Sequence, residues 1–284
     1  MNILSQSIET TSGTMKAAAT GQLAIMYQGL GDWKTALKMY SEVKEIFEKE
    51  GDRRNVAVVL HQLGMIHQDQ GNYAEAAKLY QQNLDIFKEL GDKQGIAYTL
   101  GQLGNIHYQQ GNYVEAGKLY QRSLDIAKEL GDKQGIAGTL HQLGNIHYQQ
   151  GNYVEAAKLY QRSLDIAKEL GDKQGIAQSL HQLGNIHYQQ GNNVEAAKLY
   201  QQSLDIAKEL GDKQGIAQSL GQLGRIDEEN GNYENALRKY ALALSIFDDL
   251  KDPSGEMAKR SIGRLRDKMG EDAFRKAQDS SEVS

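Results

Sequence analysis

The sequence of 284 residues repeats itself with a period of 40. Residues 91–130 and 171–210 match residues 131–170 at all but three and four of 40 positions. Residues 51–90 and 211–250 are more divergent copies, and residues 12–50 form a weaker first one. A period of this length is typical of arrays in which each unit buries its apolar face only by stacking on its neighbours. We therefore predict six structural units that depend on one another for stability.

Each unit reads as two helices joined by a tight turn. In residues 131–170, apolar and small residues recur at the spacing of one helix face in each half of the unit. The first half holds Leu140, Leu143, Gly144 and His147, and the second holds Tyr153, Ala156, Ala157, Tyr160 and Leu164. Gly151 is expected to end the first helix in a left-handed conformation. Asn152 is expected to cap the second helix, with Glu155 completing a capping box. Gly171 and Asp172 repeat this stop and start, so the paired helices should be antiparallel.

Three positions are expected to build the core of every unit. A small residue recurs at the Gly144 position, and we expect it to permit close packing against the alanine at the Ala156 position of the partner helix. A leucine and a tyrosine are invariant among the six units. They are Leu23, Leu63, Leu103, Leu143, Leu183 and Leu223, and Tyr40, Tyr80, Tyr120, Tyr160, Tyr200 and Tyr240.

Composition excludes several classes of function. The formal net charge is -5, without the basic surplus of a nucleic-acid-binding protein. The absence of cysteine excludes disulfides, thiolate metal sites and cysteine nucleophiles. No apolar run approaches the roughly 20 residues that span a bilayer, and we expect a cytoplasmic protein without membrane contact.

The repeat pattern resembles the tetratricopeptide repeat (TPR) family. The residues that carry the resemblance are Leu143-Gly144, Gly151-Asn152-Tyr153, Ala156, Tyr160 and Ser163-Leu164 with their counterparts, over residues 12–250. The period exceeds the usual ~34 residues, and Gly-Asp replaces the proline that closes the second helix. The 40-residue version with longer helices is similar to the repeats of kinesin light chains and spindle-orientation adaptors. The resemblance implies an all-α, TPR-like α-solenoid, a right-handed superhelix of antiparallel helix pairs.

The domain limits follow from the repeats. Residues 1–11 are predicted to be a flexible N-terminus. Six repeats follow, at 12–50, 51–90, 91–130, 131–170, 171–210 and 211–250. Pro253 is expected to open C-terminal capping helices over residues 251–278, and residues 279–284 to form a disordered tail.

The family resemblance places one stripe of each first helix in a concave groove. In residues 131–170 this stripe holds Gly138, His141, Asn145 and Tyr148. An asparagine side chain offers a donor and an acceptor to a peptide backbone, and packed helices ~8–10 Å apart match about three residues of extended chain. The predicted peptide-binding residues are Asn105, Asn145, Asn185, Tyr108, Tyr148, Tyr188, His141, His181 and Arg225.

Other readings of these residues stay open. The asparagine row is also explained by recent duplication of near-identical units, or by bonds between neighbouring helices. The groove ends are more acidic than its centre, with Asp69 at one end and residues 227–229 at the other, which favours a ligand with basic flanks. We do not expect a clamp for peptide carboxylates, because Arg225 is the single cation of the stripe.

Neither catalysis nor metal binding is expected. Equivalent histidines of adjacent units should lie ~8–10 Å apart, too far to share one zinc ion. The sequence holds no phosphate-binding loop, nucleophile elbow or dinucleotide fingerprint. We therefore predict a non-catalytic interaction module or scaffold, without cofactor, that binds an extended segment of a partner protein as a monomer or weak homo-oligomer. The alternatives are an effector-controlled regulator acting on a separate output protein, and a self-assembling structural solenoid.

Overall fold

All secondary-structure elements are helices, joined by short turns, over residues 2–282, the part that the computed structural model describes; side chains are described for residues 13–277. It divides into two compact units, Met1–Gly135 and Ile136–Ser284, and the division falls in the first turn of α7. The helices before the division are α1 (Asn2–Gly29), α2 (Trp33–Glu50), α3 (Arg53–Asp69), α4 (Tyr73–Glu89), α5 (Lys93–Gln109) and α6 (Tyr113–Leu130). Those after it are α7 (Lys133–Gln149), α8 (Tyr153–Leu170), α9 (Lys173–Gln189), α10 (Asn193–Leu210), α11 (Lys213–Glu229), α12 (Tyr233–Leu250), α13 (Gly255–Met269) and α14 (Glu271–Glu282). The predicted all-α architecture of helix pairs is confirmed.

Glycine and aspartate set the helix limits as predicted. Gly151 has a φ of 75°, in the left-handed region that favours glycine, and ends α7 together with its neighbours. Asp172 accepts a hydrogen bond from the backbone N–H of Gly175 at 3.0 Å and so caps α9.

The predicted capping box at α8 is wrong. Asn152 makes no side-chain hydrogen bond to the helix, and its amide instead donates to Gln150 Oε1 at 3.5 Å. Glu155 forms an ion pair with Lys158 one turn along the helix, at 3.0 Å, and does not reach back to the helix start. An exposed lysine three residues away competes successfully for this carboxylate.

The recurring glycine accommodates a tyrosine ring more closely than the alanine that we expected. A Cβ atom on Gly144 would lie 2.7 Å from Cε1 of Tyr160, closer than real Cβ contacts. Ala156 is fully buried in the same pair, and its counterpart Ala236 has its carbonyl oxygen 3.4 Å from a Cβ placed on Gly224. The same glycine–tyrosine contact occurs at Gly64–Tyr80, Gly104–Tyr120, Gly184–Tyr200 and Gly224–Tyr240. Since Ser163 Oγ also donates to the carbonyl of Ala137 near the start of α7, at 2.9 Å, the paired helices are antiparallel.

The two ends differ from the prediction in detail. Helix α1 begins at Asn2, within the N-terminus that we expected to be flexible, and no proline interrupts residues 2–29. Leu23 occupies a predicted core position but is 45% exposed, since no described helix precedes α1. Helix α13 begins at Gly255, two residues after Pro253, and α14 extends to Glu282, past the predicted start of the tail. Met1, Val283 and Ser284 lie outside the described residues.

Candidate functional site

The three predicted asparagines are hydrogen-bonded to the buried tyrosines of their own helix pairs. The hydroxyl of Tyr160 donates to Asn145 Oδ1 at 2.7 Å, and Tyr200 donates to Asn185 at the same distance. In the first unit Tyr120 makes this bond with Asn105, also at 2.7 Å. A buried phenol hydroxyl requires an acceptor, so each asparagine has a structural role within its own repeat.

In repeats without the asparagine, the tyrosine hydroxyl donates its hydrogen bond to a different side chain. Their partner is the side chain one turn further along the first helix, as the bonds Tyr40–Gln28 at 3.3 Å, Tyr80–Gln68 at 3.2 Å and Tyr240–Glu228 at 3.0 Å show. The asparagine position in these repeats holds Ile25, Met65 and Arg225. The contact is therefore a requirement of the tyrosine and not an accident of near-identical repeats, which supports the reading of asparagine as a bond between helices.

Each asparagine nevertheless keeps capacity for a ligand. An amide oxygen has two lone pairs, and an amide nitrogen carries two hydrogens. Asn145 uses one hydrogen to donate to Gln142 Oε1 at 3.0 Å, and Asn185 uses one to donate to Gln182 at 2.9 Å. Both asparagines are partly exposed. The tyrosine bond fixes the amide plane without using all of its acceptors and donors.

His141 and His181 lie beside the asparagines and cover the tyrosine rings. The ring centroids of His141 and Tyr160 are 5.2 Å apart, as are those of His181 and Tyr200. Burial lowers the pKa of His141 and of His181 to about 4, so both imidazoles are neutral at pH 7. Each ring contributes apolar surface and an uncharged edge whose nitrogen can form a hydrogen bond.

A cavity of about 360 Å³ lies on this face of the second unit, and we call it the amide groove. Seven side-chain amides line it, with two histidines and one acid. The lining side chains used below are His141, Gln142, Asn145, Gln174, Gln178, His181, Gln182, Asp212, Gln214 and Gln218. The single lining carboxylate, Asp212, accepts a hydrogen bond from the backbone N–H of Gly215 at 3.0 Å. The groove thus offers a hydrogen-bonding surface that is rich in amides and carries one charged side chain, Asp212. The sequence reading missed its glutamines, although their recurrence in successive units was a usable signal.

The predicted tyrosines lie one turn further along the first helices. The ring centroid of Tyr148 is 5.4 Å from that of Tyr153, and in the first unit Tyr108 and Tyr113 are separated by the same distance. Tyr188 donates its hydroxyl hydrogen to Glu229 and lies beneath the guanidinium of Arg225, 4.5 Å from the ring centroid. These tyrosines do not line the amide groove, and neither does Asn185.

The acidic groove end expected at the end of α11 is neutralised internally. Asp227 forms an ion pair with Lys239, and Arg225 lies 3.8 Å from Glu229. At the other predicted end, in the first unit, burial raises the pKa of Asp69. The expectation of a ligand with basic flanks is therefore not supported at this end.

Glu228 joins the last repeat to the capping helix α13. Its carboxylate is 7% exposed, lies 2.9 Å from Lys268 and 3.3 Å from Arg264, and accepts the hydrogen bond from Tyr240. Burial alone would raise the pKa of Glu228, but the hydrogen bonds from these three side chains outweigh it and hold the pKa below its usual value. The cap is attached through a buried charge network.

A second cavity, of about 730 Å³, follows the amide groove toward α13. It shares the lining residues His181, Gln182 and Gln218 with the groove. Arg225, the one predicted site cation, lines this cavity and not the amide groove. Among the side chains at 13–277, no group of three or more histidines and carboxylates is placed to hold a metal ion.

Comparison with known proteins is decisive for the family. The sequence matches the tetratricopeptide repeat over residues 16–89, 95–169 and 175–249. The chain belongs to the tetratricopeptide repeat family. No curated protein sequence matches it.

Solved structures share the fold. A Rap protein complexed with competence and sporulation factor is 16% identical, with a TM-score of 0.66 over 90% of this chain and 76% of that one. Aspartyl phosphate phosphatase F from Bacillus subtilis is 12% identical, with a TM-score of 0.71 over 93% and 73%. A putative kinesin light chain from Podosopora anserina with nearly identical TPR-like repeats is 21% identical, with a TM-score of 0.54 over 68% and 95%. The resemblance to kinesin light chain repeats is confirmed. None of the described helices is long and apolar enough to cross a bilayer.

Proposed function

We propose that the second unit binds an extended, uncharged segment of a partner protein in the amide groove. The observation that carries the proposal is the lining of seven side-chain amides and two neutral histidines around a cavity of about 360 Å³. TPR repeats serve as protein-interaction modules, and such a surface pairs with backbone N–H and C=O groups without demanding charge. The chain acts as a non-catalytic scaffold in this proposal, and the cytoplasm is its expected location.

The asparagine is the fixed donor and acceptor of this surface. The bond from Tyr160 holds the amide of Asn145 in one orientation, so little rotamer entropy is lost when a peptide binds. Asn185 does not line the cavity itself, but it donates to the lining residue Gln182 and has the same fixed orientation through Tyr200, so an extended segment that continues past the cavity would meet it. Asn105 and Tyr108 of the first unit remain candidates for the same chemistry there.

The test separates the structural role of asparagine from its role in binding. Asn145→Ala alone would remove the acceptor of the hydrogen bond from the buried Tyr160 hydroxyl, whereas removing both groups costs less than the two separate losses. The informative variant therefore combines Asn145→Ala and Asn185→Ala with Tyr160→Phe and Tyr200→Phe. Its matched control carries only the two phenylalanines and keeps both amides.

Random twelve-residue peptides selected by display on the full chain supply the ligand, and calorimetry measures each variant. We expect selected peptides with little net charge that bind the control slightly more weakly than the unaltered chain, because its amides are no longer held in one orientation. They should bind the fourfold variant about tenfold more weakly than the control, the loss of one to two hydrogen bonds. Equal affinity for the control and the fourfold variant would reject the proposal.

A second candidate is regulation by an effector that binds the same surface. It is favoured by the fold shared with a Rap protein that is complexed with competence and sporulation factor. Self-association remains a further alternative, although the charged cap formed by α13 opposes open end-to-end stacking. Light scattering over a range of concentrations distinguishes a monomer from an oligomer.

A further inference from the structure

The last repeat lacks a ring that its two predecessors supply. In those repeats a histidine covers the buried tyrosine, with His141 on Tyr160 and His181 on Tyr200 at 5.2 Å between centroids. The equivalent residue of the last repeat is Gly221, opposite Tyr240. A Cβ atom on Gly221 would meet no atom within 4 Å. The space that an imidazole fills in the preceding repeats is open here.

This opening forms part of the cavity of about 730 Å³, which we call the Gly221 pocket. Its apolar lining comes from α11, α12 and α13 and consists of Ala217, Tyr240, Ala243, Phe247, Met257 and Ala258. Met257 is 72% exposed at the rim, and its unbranched thioether adapts to irregular apolar ligands and contacts aromatic rings favourably. The volume falls in the range of sites that enclose a ligand group.

The charged side chains at the rim of the pocket do not favour the binding of an anion. Arg264 is paired with Glu228 at 3.3 Å, and Arg225 with Glu229 at 3.8 Å. A neutral group is therefore favoured. Within the same chain, the group that covers a tyrosine at this repeat position is an aromatic ring, and paired rings add to the energy of burial.

We propose that the Gly221 pocket binds an aromatic side chain of the partner segment, packed against Tyr240 where His141 and His181 cover the tyrosines of their own repeats. This proposal rests on the proposed function, because the pocket shares His181, Gln182 and Gln218 with the amide groove. The segment would place uncharged polar residues in the groove and an aromatic residue beside the cap.

The direct test uses N-acetyl-tryptophanamide as the probe and saturation-transfer NMR with the full chain. Gly221→His introduces the residue that three other repeats carry at this position, so it fills the pocket without a foreign side chain. Gly101→His makes the same change at the equivalent position of the first unit and is the matched control. We expect probe binding to fall about tenfold in Gly221→His and to persist in Gly101→His. Met257→Ser, at the exposed rim of the pocket, should also weaken binding. Equal binding to Gly221→His and the unaltered chain, or loss only in Gly101→His, would overturn the proposal.

The selected peptides distinguish this proposal from the proposed function. We expect them to contain one aromatic residue whose replacement by alanine weakens binding to the unaltered chain but not to Gly221→His. Peptides that depend on Asn145 and Asn185 yet bind Gly221→His with full affinity would leave the amide groove supported and the pocket rejected.

Discussion

The hydroxyl of Tyr160 donates to Asn145 Oδ1 at 2.7 Å, across the interface of α7 and α8. The ring of the same tyrosine packs against Gly144, one residue before Asn145. One side chain of the second helix therefore explains two adjacent residues of the first. It also fixes the amide that we propose to bind the partner backbone.

The Tyr160–Asn145 bond predicts a non-additive pair of substitutions. Asn145→Ala removes the acceptor of the bond from the buried Tyr160 hydroxyl and should cost about 1–3 kcal/mol, whereas Tyr160→Phe should cost less and the double variant less than the sum. Urea unfolding of the four proteins measures the coupling. Strictly additive shifts in the urea midpoint would show that the bond contributes nothing to stability.

Gly144→Ala should destabilise the protein although alanine is the better helix former. The new Cβ would lie 2.7 Å from the Tyr160 ring, and overpacking of this kind costs about 1–3 kcal/mol. Gly138→Ala is the control on the same helix, since its Cβ meets nothing within 4 Å. It should stabilise by about 0.5–1 kcal/mol. Thermal melts check both, and a stabilised Gly144→Ala would refute the packing argument.

His141 and His181 should make stability depend on pH in the mildly acidic range. Their pKa values are about 4 in the folded chain against about 6.5 when unfolded. Between these values the unfolded state binds more protons, so stability falls as pH falls from about 6.5 to about 4.

The double variant His141→Gln/His181→Gln isolates this contribution. We expect its urea midpoint to fall less than that of the unaltered chain between pH 7 and pH 5. Parallel falls would show that the two imidazoles are not buried in the neutral form.

Glu228→Gln should loosen the capping helix. The amide can still accept from Tyr240 but loses the charge that faces Lys268 and Arg264, at a cost of about 1–3 kcal/mol. Amide hydrogen exchange along α13 should accelerate. Glu256→Gln, which removes an exposed ion pair with Lys259 on the same helix, should change exchange little. Equal effects of the two substitutions would contradict the role of the buried network.

Periodicity and turn residues were sufficient to predict the helix pairs. Leu140 and Tyr160 belong to the apolar stripes that mark the buried faces of their two helices. Gly151 adopts the left-handed conformation that the short turn between these helices requires. Each of these signals is local, and each is repeated several times along the chain.

The errors concern choices between competing partners. Asn152 and Glu155 form a recognisable capping pattern in the sequence. In the folded chain, however, Asn152 bonds to Gln150 and Glu155 pairs with Lys158. The sequence did not identify Tyr160 as the partner of Asn145, because the near-identical repeats always carry both asparagine and tyrosine. Only the divergent repeats, where Gln68 or Glu228 replaces the asparagine as acceptor, reveal the requirement. The pocket at Gly221 also depends on where α13 packs, which no repeat pattern encodes.

The side-chain amide signals of Asn145 and Asn185 test the central proposal most directly. In nitrogen-15 spectra of the full chain, titration with a selected peptide should shift both amide pairs, since the peptide backbone would bond to their remaining hydrogens and lone pairs. The Tyr160→Phe/Tyr200→Phe variant should show the same shifts, because its asparagines persist. Unmoved asparagine amides in a saturated complex, with shifts confined to other surfaces, would contradict the proposed binding mode.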